Sequence, residues 1–129
     1  MPINEPAAPA AATTNTTASP LGAAGTVATA VLLVVHGVLY AASFALLGLL
    51  VMSTDPCGYQ KCGDPAWIDR AMTLGTWGGA ALLVADIGVA GYLLVRRKRR
   101  AFLVPLIGCV AQVALVLAAV AMELQAGPV

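Results

Sequence analysis

Charge is scarce in this chain. Only 10% of its 129 residues are Asp, Glu, Lys or Arg, whereas 60% are hydrophobic. Soluble domains carry roughly 25% charged residues. So few charges cannot keep this much apolar surface in water, which excludes an ordinary soluble fold. Histidine is scarcer still, with a single residue. No Gly-rich phosphate loop, nucleophile elbow or metal-binding His/Glu motif is present. With one histidine for acid–base chemistry, the chain is not expected to be an enzyme, and no cofactor or metal is expected. Strand-like alternation and internal repeats are absent too.

What charge there is lies in one cluster. Arg96, Arg97, Lys98, Arg99 and Arg100 hold five of the seven basic residues. Either side of that cluster the chain is apolar over long stretches. Residues 25–52 contain no charged side chain, residues 72–95 contain only Asp86, and residues 101–122 contain none. A membrane helix needs about 20 apolar residues. The chain is therefore expected to be all-α, a polytopic membrane protein with three transmembrane helices at 25–52, 72–95 and 101–123. In lipid every backbone group must bond within the chain, which a helix does locally.

Between the spans lie a loop at 53–71, the basic turn at 96–100 and a short tail at 124–129. Residues 1–24 are rich in Ala, Thr and Pro with no apolar period, and read as a disordered tail. Without Lys or Arg, and ahead of an apolar run that is too long, this tail does not read as a signal peptide.

Orientation follows from the basic cluster, which should stay in the cytoplasm. Loop 53–71, where Lys61 and Arg70 are diluted by three Asp, should then be exoplasmic. The N-terminus is expected in the cytoplasm and the C-terminus outside. Trp67 and Trp77 near one boundary, and Tyr92 near the other, suit the two interfaces. Abundant Ala, Val and Gly, with Arg outnumbering Lys, suits a GC-rich bacterial genome and hence a bacterial plasma membrane. The basic run also suits anionic lipid headgroups. It is too short, and too bare of aromatics, for nucleic acid.

The exoplasmic loop carries Cys57 and Cys62, with Gly58 and Gly63-Asp64-Pro65 supplying turn chemistry. A disulfide is the expected state in an oxidising compartment. A redox dithiol is more often Cys-x-x-Cys, and a structural zinc needs four ligands, so these two readings are weaker. Cys109, inside the third span, reads as a packing residue.

Three polar side chains fall inside the spans. Counted from the cytoplasmic ends at 1.5 Å per residue, His36, Asp86 and Gln112 all lie about 13–17 Å deep. That is close to the middle of a ~30 Å core. A lone Asp there costs on the order of 2.5–3.5 kcal/mol, so Asp86 is expected to face the other helices. A His36–Asp86 hydrogen bond is possible, with Gln112 satisfying a remaining lone pair. Gly75 and Gly79 share a stripe with Asp86 and permit close helix approach. Gly37, Ala41 and Ala45 form a second small-residue stripe beside His36. The plain alternative is that these polar groups are interhelical glue, contributing about 0.6 kcal/mol on average. Pairing of Asp86 with a basic residue on another protein, or proton handling, are the other two.

Three helices enclose too little volume for a transport path. The expected function is an accessory subunit or assembly and interaction factor of a larger membrane complex, with membrane lipids and a membrane-protein partner or a second copy as its contacts. One alternative is a homo-oligomeric proton or cation conduit using His36 and Asp86. Another is an exoplasmic thiol-redox partner using Cys57 and Cys62.

Overall fold

The computed structural model describes residues 20–129. Most of the tail expected at 1–24 lies outside the described residues. Its last five residues do not belong to a tail, because helix α1 runs Pro20–Val51. Proline suits the first position of a helix, where its missing N–H costs nothing. Helix α2 is Ala66–Thr73, α3 is Gly79–Val95 and α4 is Leu103–Ala126. A π-type turn, Leu74–Gly78, joins α2 to α3 without a break. Among the described residues, three helical stretches are thus long and apolar enough to cross a membrane: Gly22–Gly58, Ala66–Val95 and Leu103–Ala126. The protein is an all-α, multi-pass membrane protein.

Hydroxyls inside α1 are satisfied without water. Thr26, Thr29 and Ser43 each donate to the carbonyl four residues back, at 3.0, 2.8 and 2.5 Å. This back-bonding is the ordinary way a helix carries Ser or Thr where no solvent reaches. Beyond Val51 the helix tightens into a 3-10 turn, Met52–Gly58, which contains Pro56.

The second membrane helix starts six residues before the expected Met72. Asp64 Oδ1 accepts from the Ala66 N–H at 2.9 Å, and Pro65 follows it. A carboxylate cap with proline behind it is a strong helix start. Hydropathy marked where the apolar stretch begins, and the cap sets where the helix begins. Arg70 lies over the Trp67 ring at 5.1 Å within this first segment.

The basic turn is built as a helix stop. The Arg97 N–H donates to Leu94 O and the Lys98 N–H to Leu93 O, both at 3.0 Å. Arg97 has φ of 52°, the left-handed conformation this stop requires. Winding resumes at once: Ala101 N–H donates to Lys98 O and Leu103 N–H to Arg100 O. These turns lead into α4 at Leu103.

Helix α4 packs against α1, α2 and α3, and α1 also touches α3. Leu47, Ala71 and Ala119 form the buried apolar centre, with Met72, Val120 and Met122 against it. The far end is closed by a clasp. Cys57 and Cys62 are disulfide-bonded, with Cα atoms 5.6 Å apart. The segment 127–129, part of the short tail expected at 124–129, pairs with this loop: Gly63 N–H donates to Gly127 O and Val129 N–H to Lys61 O, both at 3.2 Å.

Candidate functional site

One face of α1 carries Thr29, His36, Ser43 and Leu47, all buried. The first three recur every seven residues, two helical turns, so they share a stripe. The buried face of α4 carries Gly108, Gln112, Ala119 and Glu123. Between them α3 presents Gly79, Asp86 and Ala90. The interior is thus as polar as it is apolar, and the outer surface is apolar.

His36 and Asp86 meet at the centre of this interior. His36 Nδ1 and Asp86 Oδ2 are hydrogen-bonded at 2.6 Å. His36 is 0% exposed and Asp86 7%. Gly108 makes the room: a Cβ there would fall on the Asp86 carboxylate. The His36 Nε2 has no hydrogen-bond partner among the described residues.

Gln112 does not join this pair. Its Nε2 faces Ser43 Oγ at 3.5 Å, one helical turn further along α4 than Gly108. The shared depth assumed that the third span starts at 101. In the structure Gly108, one turn before Gln112, lies opposite Asp86. Ser43 was missed in the sequence, although its spacing of seven from His36 was the available signal.

Both predicted glycines sit at close contacts. A Cβ on Gly75 would collide with the Leu47 side chain, and one on Gly79 would lie 2.7 Å from the Tyr40 ring. The Tyr40 hydroxyl donates to Thr76 O at 3.1 Å, inside the π turn. π turns occur mostly as single insertions in α-helices, frequently at functional sites. The stripe of Gly37, Ala41 and Ala45 is different: Ala41 and Ala45 are exposed, and nothing stands within 4 Å of a Cβ on Gly37. It faces outward, away from the His36 interior.

Glu123 lies near the C-terminal end of α4. It is buried at 5% exposure, and neither carboxyl oxygen has a partner among the described residues. At the opposite end, Arg96 stacks over the Tyr92 ring at 5.4 Å. Cys109 Sγ lies 3.8 Å from Leu32 O, where it packs α4 on α1.

A recess of about 220 Å³ opens on the outer surface between α1 and α4. Leu39, Ala42, Leu46, Val113, Val116 and Leu117 form its apolar walls, and its only polar lining comes from Ser43 and Gln112. Comparison with known protein families, with curated proteins and with solved structures returned no match.

Proposed function

We propose that this protein is a small accessory or assembly subunit of a larger complex in a bacterial plasma membrane. The reading rests chiefly on two outward stripes of small residues. Ala81, Ala85 and Gly88 lie at i, i+4 and i+7 on α3, and all are exposed. Gly37, Ala41, Ala45 and Gly48 run along α1 in the same way, and nothing approaches either Gly37 or Gly48. A surface meant only for lipid has no need of such stripes, whereas close packing of another helix does. In this reading the N-terminus lies in the cytoplasm and the C-terminus outside. The basic turn and the disulfide clasp lie at opposite ends of the helices, as the charge bias and an oxidising exterior require.

Affinity purification in mild detergent tests the assignment. A partner should be recovered in fixed stoichiometry, and Ala85→Phe or Ala41→Phe should reduce its yield while the protein stays folded. Recovery of a bare monomer would sink the idea.

The buried His36–Asp86 bond favours a second reading, a proton or cation conduit formed by several copies. Ionisable groups inside a membrane are costly and commonly mark proton or ion paths. Reconstitution into liposomes with a pH-sensitive dye decides this. Flux that persists unchanged in Asp86→Asn would rule out the pair as its route.

A further inference from the structure

We infer that the basic turn between α3 and α4 is a binding site for a phospholipid that carries two phosphates, of the diphosphatidylglycerol class. Arg96, Arg97, Lys98, Arg99 and Arg100 are all exposed. Among the described residues the one ion pair is His36–Asp86, so none of these cations is neutralised. The acidic residues described lie elsewhere: Asp55, Asp64 and Asp69 in or beside the cysteine loop, Glu123 toward the far end of α4, and Asp86 on His36. Like charges on consecutive residues repel one another, and an anion relieves them.

The turn holds its cations in a set arrangement. Arg97 takes the left-handed conformation that ends α3 and redirects the chain. Arg96 lies over the Tyr92 ring at 5.4 Å. A guanidinium stacked in this way keeps its N–H fork for an oxyanion. Arg99 and Arg100 follow the stop and lead into α4, where Leu103 N–H donates to Arg100 O at 3.0 Å. Their own backbone N–H groups meet no acceptor among the described residues, so main-chain donors add to the side-chain ones. The cations are thus divided between the ends of two helices. Packed helix axes stand about 8–10 Å apart, wider than one phosphate. Two phosphates on one glycerol can bridge that gap, and capture of the second is then intramolecular. Singly charged lipids have to be gathered one by one.

Apolar surface directly below the cations selects a lipid over a soluble polyanion. On α3, Val89 and Tyr92 precede Arg96 by seven and four residues, so they share its stripe; they are 48% and 58% exposed. On α4, Leu106, Ile107 and Val110 are exposed close to its start at Leu103. Acyl chains lie on such a surface while their phosphates stay at the turn. A free polyphosphate or an RNA gains nothing from it.

The inference is independent of the accessory-subunit reading. Its test uses the full chain in mild detergent, with lipid adducts counted by native mass spectrometry. The probes are tetraoleoyl cardiolipin and dioleoyl phosphatidylglycerol, compared at equal phosphate. One cardiolipin should bind each chain, about tenfold or more tightly than phosphatidylglycerol, because its two phosphates are linked. Replacing the four arginines together (Arg96→Lys, Arg97→Lys, Arg99→Lys and Arg100→Lys) keeps the charge and removes the bidentate forks, and should lower that preference severalfold. Tyr92→Leu, at an exposed position, should weaken cardiolipin binding because Arg96 loses its platform. Inorganic pyrophosphate should not displace the lipid. Equal affinity for the two lipids would show plain surface electrostatics and overturn the site. So would a preference unchanged in both the four-lysine variant and Tyr92→Leu. Displacement by pyrophosphate would mark the turn as a site for a soluble polyanion and overturn its assignment to lipid.

Discussion

Gly108 is the residue on which the central pair depends, and replacing it with alanine is the sharpest test of the interior. The added Cβ would fall on the Asp86 carboxylate, so Asp86 must swing away from His36. Two costs follow. Overpacking a tight site typically costs 1–3 kcal/mol. The lost hydrogen bond adds about 0.6 kcal/mol by the membrane average and up to about 1.7. Against these stands the higher helix propensity of alanine, worth about 1 kcal/mol. The net expectation is a loss of about 2 kcal/mol. Gly88 supplies the control, since a Cβ there meets nothing. Gly88→Ala should leave stability unchanged or raise it by up to about 1 kcal/mol. Both variants can be followed by helix ellipticity during denaturation in mixed micelles. A double-mutant cycle isolates the cause: in an Asp86→Ala background, Gly108→Ala should cost far less, because the clashing group is gone. Equal effects of Gly108→Ala and Gly88→Ala, or strict additivity in the cycle, would refute this account of the interior.

Other variants probe the remaining structural claims. Arg97→Gly should raise stability by about 1 kcal/mol, because glycine adopts the left-handed stop without strain; a loss in the same denaturation assay would argue against that stop. Reducing the Cys57–Cys62 bond should cost about 2 kcal/mol by loop entropy. It should also speed proteolysis between Ala126 and Val129, which mass spectrometry can follow, and unchanged cleavage would contradict the clasp. Tyr40→Phe removes the donor to Thr76 O and should cost about 1 kcal/mol, with faster amide exchange confined to Leu74–Gly78.

The three spans were legible because their signal is compositional. Residues 25–52 and 101–122 lack any charge, and no packing detail can reverse that. The helix ends were less legible. Asp64 caps a helix from within a polar loop. This depends on local backbone geometry, to which hydropathy is blind. The facing of His36 and Asp86 was a question of helix rotation, which depth alone leaves open. Gln112 shows the consequence: it lies one turn beyond Gly108 and faces Ser43, not the His36–Asp86 pair. The burial of Glu123 had no local signal, since it depends on how α4 crosses the other helices.

The central place of α4 also constrains how the protein is made. The helices α1, α2 and α3 precede it in the chain, and α4 packs against each of them. Until it arrives, Asp86 has no Gly108 above it and Ser43 no Gln112. The earlier helices therefore enter the membrane with one side of the His36–Asp86 pair not yet covered. The clasp between 127–129 and the cysteine loop closes after α4 is in place. Assembly is thus ordered: the segment made late seals the polar groups made early, and a ribosome stalled before residue 108 leaves the central pair open to lipid.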